Sequence, residues 1–173
     1  MKKIDFYLKR GQIARDKTIM NLAKKYMSKA RNNLVTMRVL SEINKNRKSR
    51  NLLKIPNNYD ANEWVVICGY YAMYSAALSL LAKIGFRSKN HSATIIILED
   101  YFVKKNQLNK EDLLIIKNAQ FQKEEIENIS EARRNREIAQ YSVTKQMTKE
   151  IAKKIIQDAY QFVNKVELVI NEF

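Results

Sequence analysis

Between Tyr59 and Lys83 the chain carries apolar residues on nearly every side of a helix. Trp64, Ile67, Tyr71, Tyr74, Leu78 and Leu81 recur at three- and four-residue spacing. Val65, Val66, Ala72, Met73, Ala76, Ala77 and Leu80 fill the remaining faces. Such a helix has no side to offer to water, so it belongs at the centre of its domain or at a subunit interface. Ala72, Ala76 and Ala77 are small and let neighbouring helices approach closely. Asp60 or Asn62 suits its start, and Gly85 suits the C′ position just past its end. Whatever else the chain forms has to be built around this rod.

The rest of the sequence supplies helices to pack on it. Three Gly and one Pro in 173 residues are few for a β-protein, whose turns rely on both. The expectation is a single all-α domain over residues 1–173, with an N-terminal arm over 1–15 broken at Gly11. A helix is expected from Asp16 or Thr18, its candidate N-caps, to about Ile43. Its stripe is Leu22, Tyr26, Ala30, Leu34, Met37, Val39 and Leu40, with Lys24, Lys25, Lys29 and Arg31 mostly off it. Residues 44–58 read as a basic connecting loop, of a length that is uncommon unless functional or mobile.

Further on, Asn90 or Ser92 can cap a helix over Ala93–Lys105. The β-branched run Thr94-Ile-Ile-Ile97 also suits a strand, but no partner strand is apparent elsewhere. Asn109 caps a long helix, with Glu111 and Asp112 at its positive end. That helix carries Leu113, Leu114, Ile116, Ala119, Phe121, Ile126 and Ile129, with a break considered near Gln120–Glu125. Ser142-Val-Thr144 reads as a loop. Thr148 to about Asn171 reads as the last amphipathic helix.

Several function classes are disfavoured. The single Cys68 allows neither an internal disulfide nor a multi-cysteine zinc site, and suits a small core residue. There is no glycine-rich phosphate loop and no His/Cys metal spacing, so neither a cofactor nor a metal is expected. No N-terminal segment has a long apolar core, and no uninterrupted apolar run approaches the ~20 residues of a membrane span. A cytoplasmic protein without membrane contact is the expectation.

The net charge of +14 is unevenly spread. Residues 1–50 hold fifteen Lys/Arg against three Asp/Glu, whereas residues 111–173 hold ten against eleven. A basic first third attracts polyanions. It also suits a solvated lysine-rich face, a membrane surface or an acidic protein.

The densest group of potential phosphate ligands is Glu131-Ala-Arg-Arg-Asn-Arg-Glu-Ile-Ala-Gln-Tyr141. On a helix Arg133 shares a face with Arg136 and with Glu137. A guanidinium fork grips phosphate bidentately, and a tyrosine can stack on a base. The same residues also suit a salt-bridged helix end, with Glu131 and Glu137 as partners and Tyr141 packed at the bundle rim. His91 is the only imidazole; in a basic turn it suits a cap or a packed polar residue as well as a base. Glu124, Glu125 and Glu127 suit a solvated helix face.

Three segments together resemble the HEPN superfamily: Tyr70-Tyr-Ala-Met-Tyr-Ser-Ala-Ala-Leu-Ser-Leu-Leu81, Gly85-Phe-Arg-Ser-Lys-Asn-His91 and Arg136-Glu-Ile-Ala-Gln-Tyr141. The match is to the prokaryotic branch with a Tyr-Tyr-Ala-Met-Phe-His helix, a Gly…His turn and an Arg-x-x-Ala-Asp-Tyr motif, and covers roughly residues 20–170. The resemblance implies an up-and-down bundle of four to five helices, a homodimer with the Arg motif in an interface cleft, and pairing with a minimal nucleotidyltransferase in toxin–antitoxin operons. It implies RNA as ligand and metal-independent endoribonuclease chemistry. Arg134, Arg136 and Tyr141 then stand at catalytic positions, with Arg133, Arg87, Lys89 and His91 as phosphate contacts. Active members carry Arg, four to six residues, then His. Counted from Arg134, that position holds Ala139, while Tyr141 keeps the register of the tyrosine that the partner adenylylates in some members. Ser75 stands where the branch often has His. The alternative implied is a non-catalytic dimeric partner subunit.

Overall fold

The computed structural model describes residues 3–134 and 141–173. Helices α1 (Lys3–Lys9), α2 (Ala23–Lys45), α3 (Arg47–Leu52), α4 (Asn62–Lys83), α5 (His91–Leu98), α6 (Lys110–Arg134) and α7 (Tyr141–Asn171) form an all-α bundle. A 3-10 helix over Lys17–Leu22 precedes α2, and one π-helical turn, Glu99–Val103, extends α5. Two three-residue strands, β1 (Ile13–Arg15) and β2 (Phe86–Ser88), complete the order.

α4 is the hub, packed on α2, α7, α6 and α5. By length and composition it could cross a membrane, with a mean hydropathy of 1.7 in its most apolar window, but most of that window is buried inside the bundle. Its inward residues are Val66, Tyr70, Met73, Ala77, Leu80 and Leu81, all at 1% exposure or less. Trp64 and Tyr71, expected in the stripe, face outward at 54% and 41% exposure. A helix that is apolar all round carries no phase in its sequence, so its neighbours decide which side is core.

At Gly69 the packing is closest. A Cβ there would lie 3.1 Å from both Ile155 Cγ1 and Met37 Sδ, which is how α2, α4 and α7 meet at one level. Ala72, Ala76 and Ala77 are fully buried, as expected for close helix approach. Cys68, next to this crossing, is half-buried rather than a core residue. The Ser79 hydroxyl donates to the Ala23 carbonyl at 2.7 Å, and Arg31 ties α2 to α7 through Glu167 and Asn164.

Caps fall largely where their residue types point. Asp16 Oδ1 accepts from Thr18 N at 3.0 Å and starts the 3-10 helix, which replaces the expected first turn of α2. Asn90 Oδ1 accepts from Ala93 N at 2.8 Å, so 93–98 is helical rather than a strand. Asn109 and Asp112 exchange reciprocal bonds: Asn109 N donates to Asp112 Oδ2 at 2.9 Å, and Asp112 N donates to Asn109 Oδ1 at 2.8 Å. α6 then runs unbroken to Arg134. Gly85, at φ +71°, ends α4 in the left-handed conformation that glycine adopts without strain.

Three further expectations need correction. The 44–58 connection contains α3, because Asn46 Oδ1 accepts from Lys48 N and Ser49 N and nucleates a turn. α7 begins at Tyr141, not Thr148; Ser142-Val-Thr144 is helical, since a long amphipathic helix overrides the loop preference of Ser and Thr. Finally, β1 and β2 pair antiparallel, Ala14 opposite Arg87, which fastens the N-terminal arm to the α4–α5 turn.

Candidate nucleic-acid interface

The arginine segment straddles the α6–α7 connection. Arg133 and Arg134 belong to the last turn of α6, and Tyr141 opens α7. Arg136 and Ala139 lie outside the described residues.

At the end of the bundle where α7 begins, four other segments converge: the end of α2, α3, the 53–61 connection and the start of α4. They border a cleft of about 710 Å3 that is closed on its remaining side by the Gln146–Ile156 face of α7. The sequence folds locally to keep this cleft open. Arg50 Nη2 donates to the carbonyls of Pro56 at 2.6 Å and Tyr59 at 3.1 Å, which pins the connection to α3. Asn44 forms the floor: its Oδ1 accepts from Ala61 N at 2.9 Å, and its Nδ2 donates to Asn62 Oδ1 at 2.9 Å. Asp60 Oδ1 accepts from Asn62 N at 2.9 Å, so the carboxylate is engaged at the start of α4.

Charge in the cleft is one-sided. Lys45, Arg50, Lys149 and Lys153 line it against a single carboxylate, Asp60. Among the described residues, Arg50, Lys149 and Lys153 have no ion-pair partner, and Lys45 reaches Glu42 only at 4.0 Å. Uncompensated cations around a concave surface focus potential and favour a polyanion. Tyr59, at 40% exposure, adds an accessible aromatic ring.

A second group of expected contacts lies elsewhere. His91 opens α5, with the Tyr70 hydroxyl 2.7 Å from its ring nitrogens and the Tyr74 ring centroid at 4.2 Å. Burial pushes the His91 pKa below 6.5; the Lys123 cation adds to this and Glu124 opposes it. Burial, then the neighbouring Tyr74 and Tyr71, pushes the Tyr70 hydroxyl well above its usual range. The pair is a neutral hydrogen bond among aromatic rings. Arg87, on β2, is bound to Asp16 at 2.9 Å, and Lys89 is exposed with its backbone N–H on the Gln12 carbonyl at 2.9 Å. Lys123, beside Tyr70, stands eleven residues before Arg134 on α6, about 16 Å along the axis. The fold therefore does not bring Arg87, Lys89 and His91 together with the end of α6.

Nothing in the sequence marks Lys149, Lys153 and Tyr59 as ligands. Gln146, Lys149 and Lys153 stand at helical spacing on the polar side of α7, a signal no different from that of a solvated face. Only the tertiary structure sets them opposite Lys45 and Arg50.

Comparison with known proteins bears on what this arrangement is for. A family model described as "HEPN domain" matches residues 17–169. A protein of Archaeoglobus fulgidus described as "UPF0332 protein" is 30% identical over 103 residues, covering 60% of this chain and 71% of that protein. No solved structure matches the chain.

Proposed function

The chain belongs to the HEPN domain family, and on that premise we propose that it is an RNA-binding protein acting as a homodimer, the toxin-like component of a two-component system. Arg136 and Arg133 or Arg134 hold phosphate, and Tyr141 orients or stacks on the strand. The observation that carries the reading is the exposed positive charge of the first fifty residues. Lys24, Lys25, Lys29 and Arg38 on α2 and Arg47 and Lys48 on α3 are all exposed. Phosphate contacts of this kind supply most of the sequence-independent affinity for nucleic acid.

Binding, rather than rapid cleavage, is the activity proposed. In metal-independent cleavage an arginine offsets the charge that develops on the phosphorane, and a second group moves the proton of the 2′-hydroxyl. Ala139, at the family's histidine position, cannot move a proton. An unperturbed tyrosine, with a pKa near 10, is a poor base at neutral pH, so Tyr141 does not make good the missing histidine.

Incubating purified protein with labelled tRNA or mRNA in EDTA tests this. Wild type is expected to retain the RNA, and Arg136→Ala to bind about tenfold more weakly, a loss of roughly 1.5 kcal/mol for one charge-assisted contact. Identical, null binding and cleavage by the two proteins would sink the reading.

A second reading, a non-catalytic subunit that holds a minimal nucleotidyltransferase, is favoured by Ala139 and by the exposed Leu114 and Phe121 of α6. Overexpression separates the two. Growth inhibition without the partner supports the RNA-directed reading; harmless overexpression, still harmless without the partner, supports the subunit.

A further inference from the structure

We propose that the cleft between α7 and the α2–α4 connection is a single-stranded RNA subsite, in which Lys149 and Lys153 hold consecutive phosphates and Tyr59 stacks on the base between them. This rests on the RNA-binding reading and names a second place where the strand is held. Three observations carry it. The cleft, at about 710 Å3, has room for one nucleotide and its flanking phosphates. Lys149 and Lys153 are one helical turn apart on the same wall, with no ion-pair partner among the described residues. The opposite wall is set in advance: Arg50 spends its guanidinium on backbone carbonyls, and Asn44 holds Ala61 and Asn62.

A positive groove with an aromatic platform is the common arrangement for single strands, because every base has a face to stack. A duplex shields its base faces and cannot present one to Tyr59. Tyr141 lies eight residues before Lys149 on α7, about 12 Å along the helix, so one strand can run along the first turns of α7 into the cleft.

The test is fluorescence anisotropy with a labelled 12-nucleotide single-stranded RNA at several salt concentrations. Four proteins are compared: wild type, Lys149→Gln/Lys153→Gln, Tyr59→Leu, and Lys110→Gln/Lys165→Gln. The last makes the same change in net charge at the other end of the bundle. The cleft pair is expected to lose about tenfold in affinity, with a salt slope shallower by about 1.4, the value for two phosphate contacts on a single strand. Tyr59→Leu is expected to lose fivefold or more, and the far-end pair less than twofold. Equal losses in the two lysine pairs overturn the subsite while leaving RNA binding intact. Absence of binding by wild type overturns both. Ultraviolet cross-linking of wild type to the same RNA needs no variant: adducts within residues 57–62 support the subsite, and adducts confined to other segments overturn it.

Discussion

His91 shows how one residue's surroundings set its use. Its half-buried ring is flanked by Tyr70 and Tyr74, with the Lys123 cation and Glu124 carboxylate nearby. Burial, reinforced by Lys123, lowers its pKa from 6.5. The native state thus resists protonation more than the unfolded chain does. The stability this gives is fully present above about pH 6.5 and is lost as pH falls through 6.5 toward the folded value. Denaturant midpoints at pH 7.5 and 5.5 check this: the drop in wild type should exceed the drop in His91→Gln, and equal drops would remove His91 from the account. Nothing in this arrangement frees the imidazole for proton transfer at the end of α6. His91 was foreseen as a packed polar residue or a phosphate contact, and the geometry around it supports the packing role.

At the scale of elements, α6 depends on its first turn. The reciprocal Asn109–Asp112 bonds satisfy backbone N–H groups that have no partner inside the helix. Asn109→Ala is expected to cost about 1 kcal/mol, a fall of about 2–4 °C in the thermal midpoint for a chain of this size. An unchanged midpoint would mean that packing against α4 alone holds the helix. This cap was legible in the sequence, as were Gly85, the central place of α4 and the stripe of α7. What escaped was of two kinds. The outward turn of Trp64 and Tyr71 escaped because a helix that is apolar all round leaves its orientation to its neighbours. α3, β1 and β2 escaped because elements of three to six residues carry no period, and β1 pairs with a strand far away in sequence. The arginine segment was visible as a cluster. The cleft was not, because Lys45 and Arg50 are separated from Lys149 and Lys153 by about a hundred residues.

Taken whole, the molecule is a bundle with charge concentrated in the part of the chain that forms α2 and α3, and with large apolar side chains left outside on α4 and α6. A homodimer accords with that surface, and light scattering should return twice the chain mass of 20.3 kDa; a monomer would contradict the proposed assembly. The pairing of β1 with β2 has a consequence for the whole chain. About 70 residues, including α2 and α4, lie between the paired Arg15 and Phe86. Three residue pairs and the Arg87–Asp16 bridge thus act as a non-covalent staple at the neck of a long loop. The entropy of closing such a loop grows only with the logarithm of its length, so a short staple suffices. With Cys68 as the sole thiol, this closure owes nothing to oxidation, and a reducing environment leaves it intact.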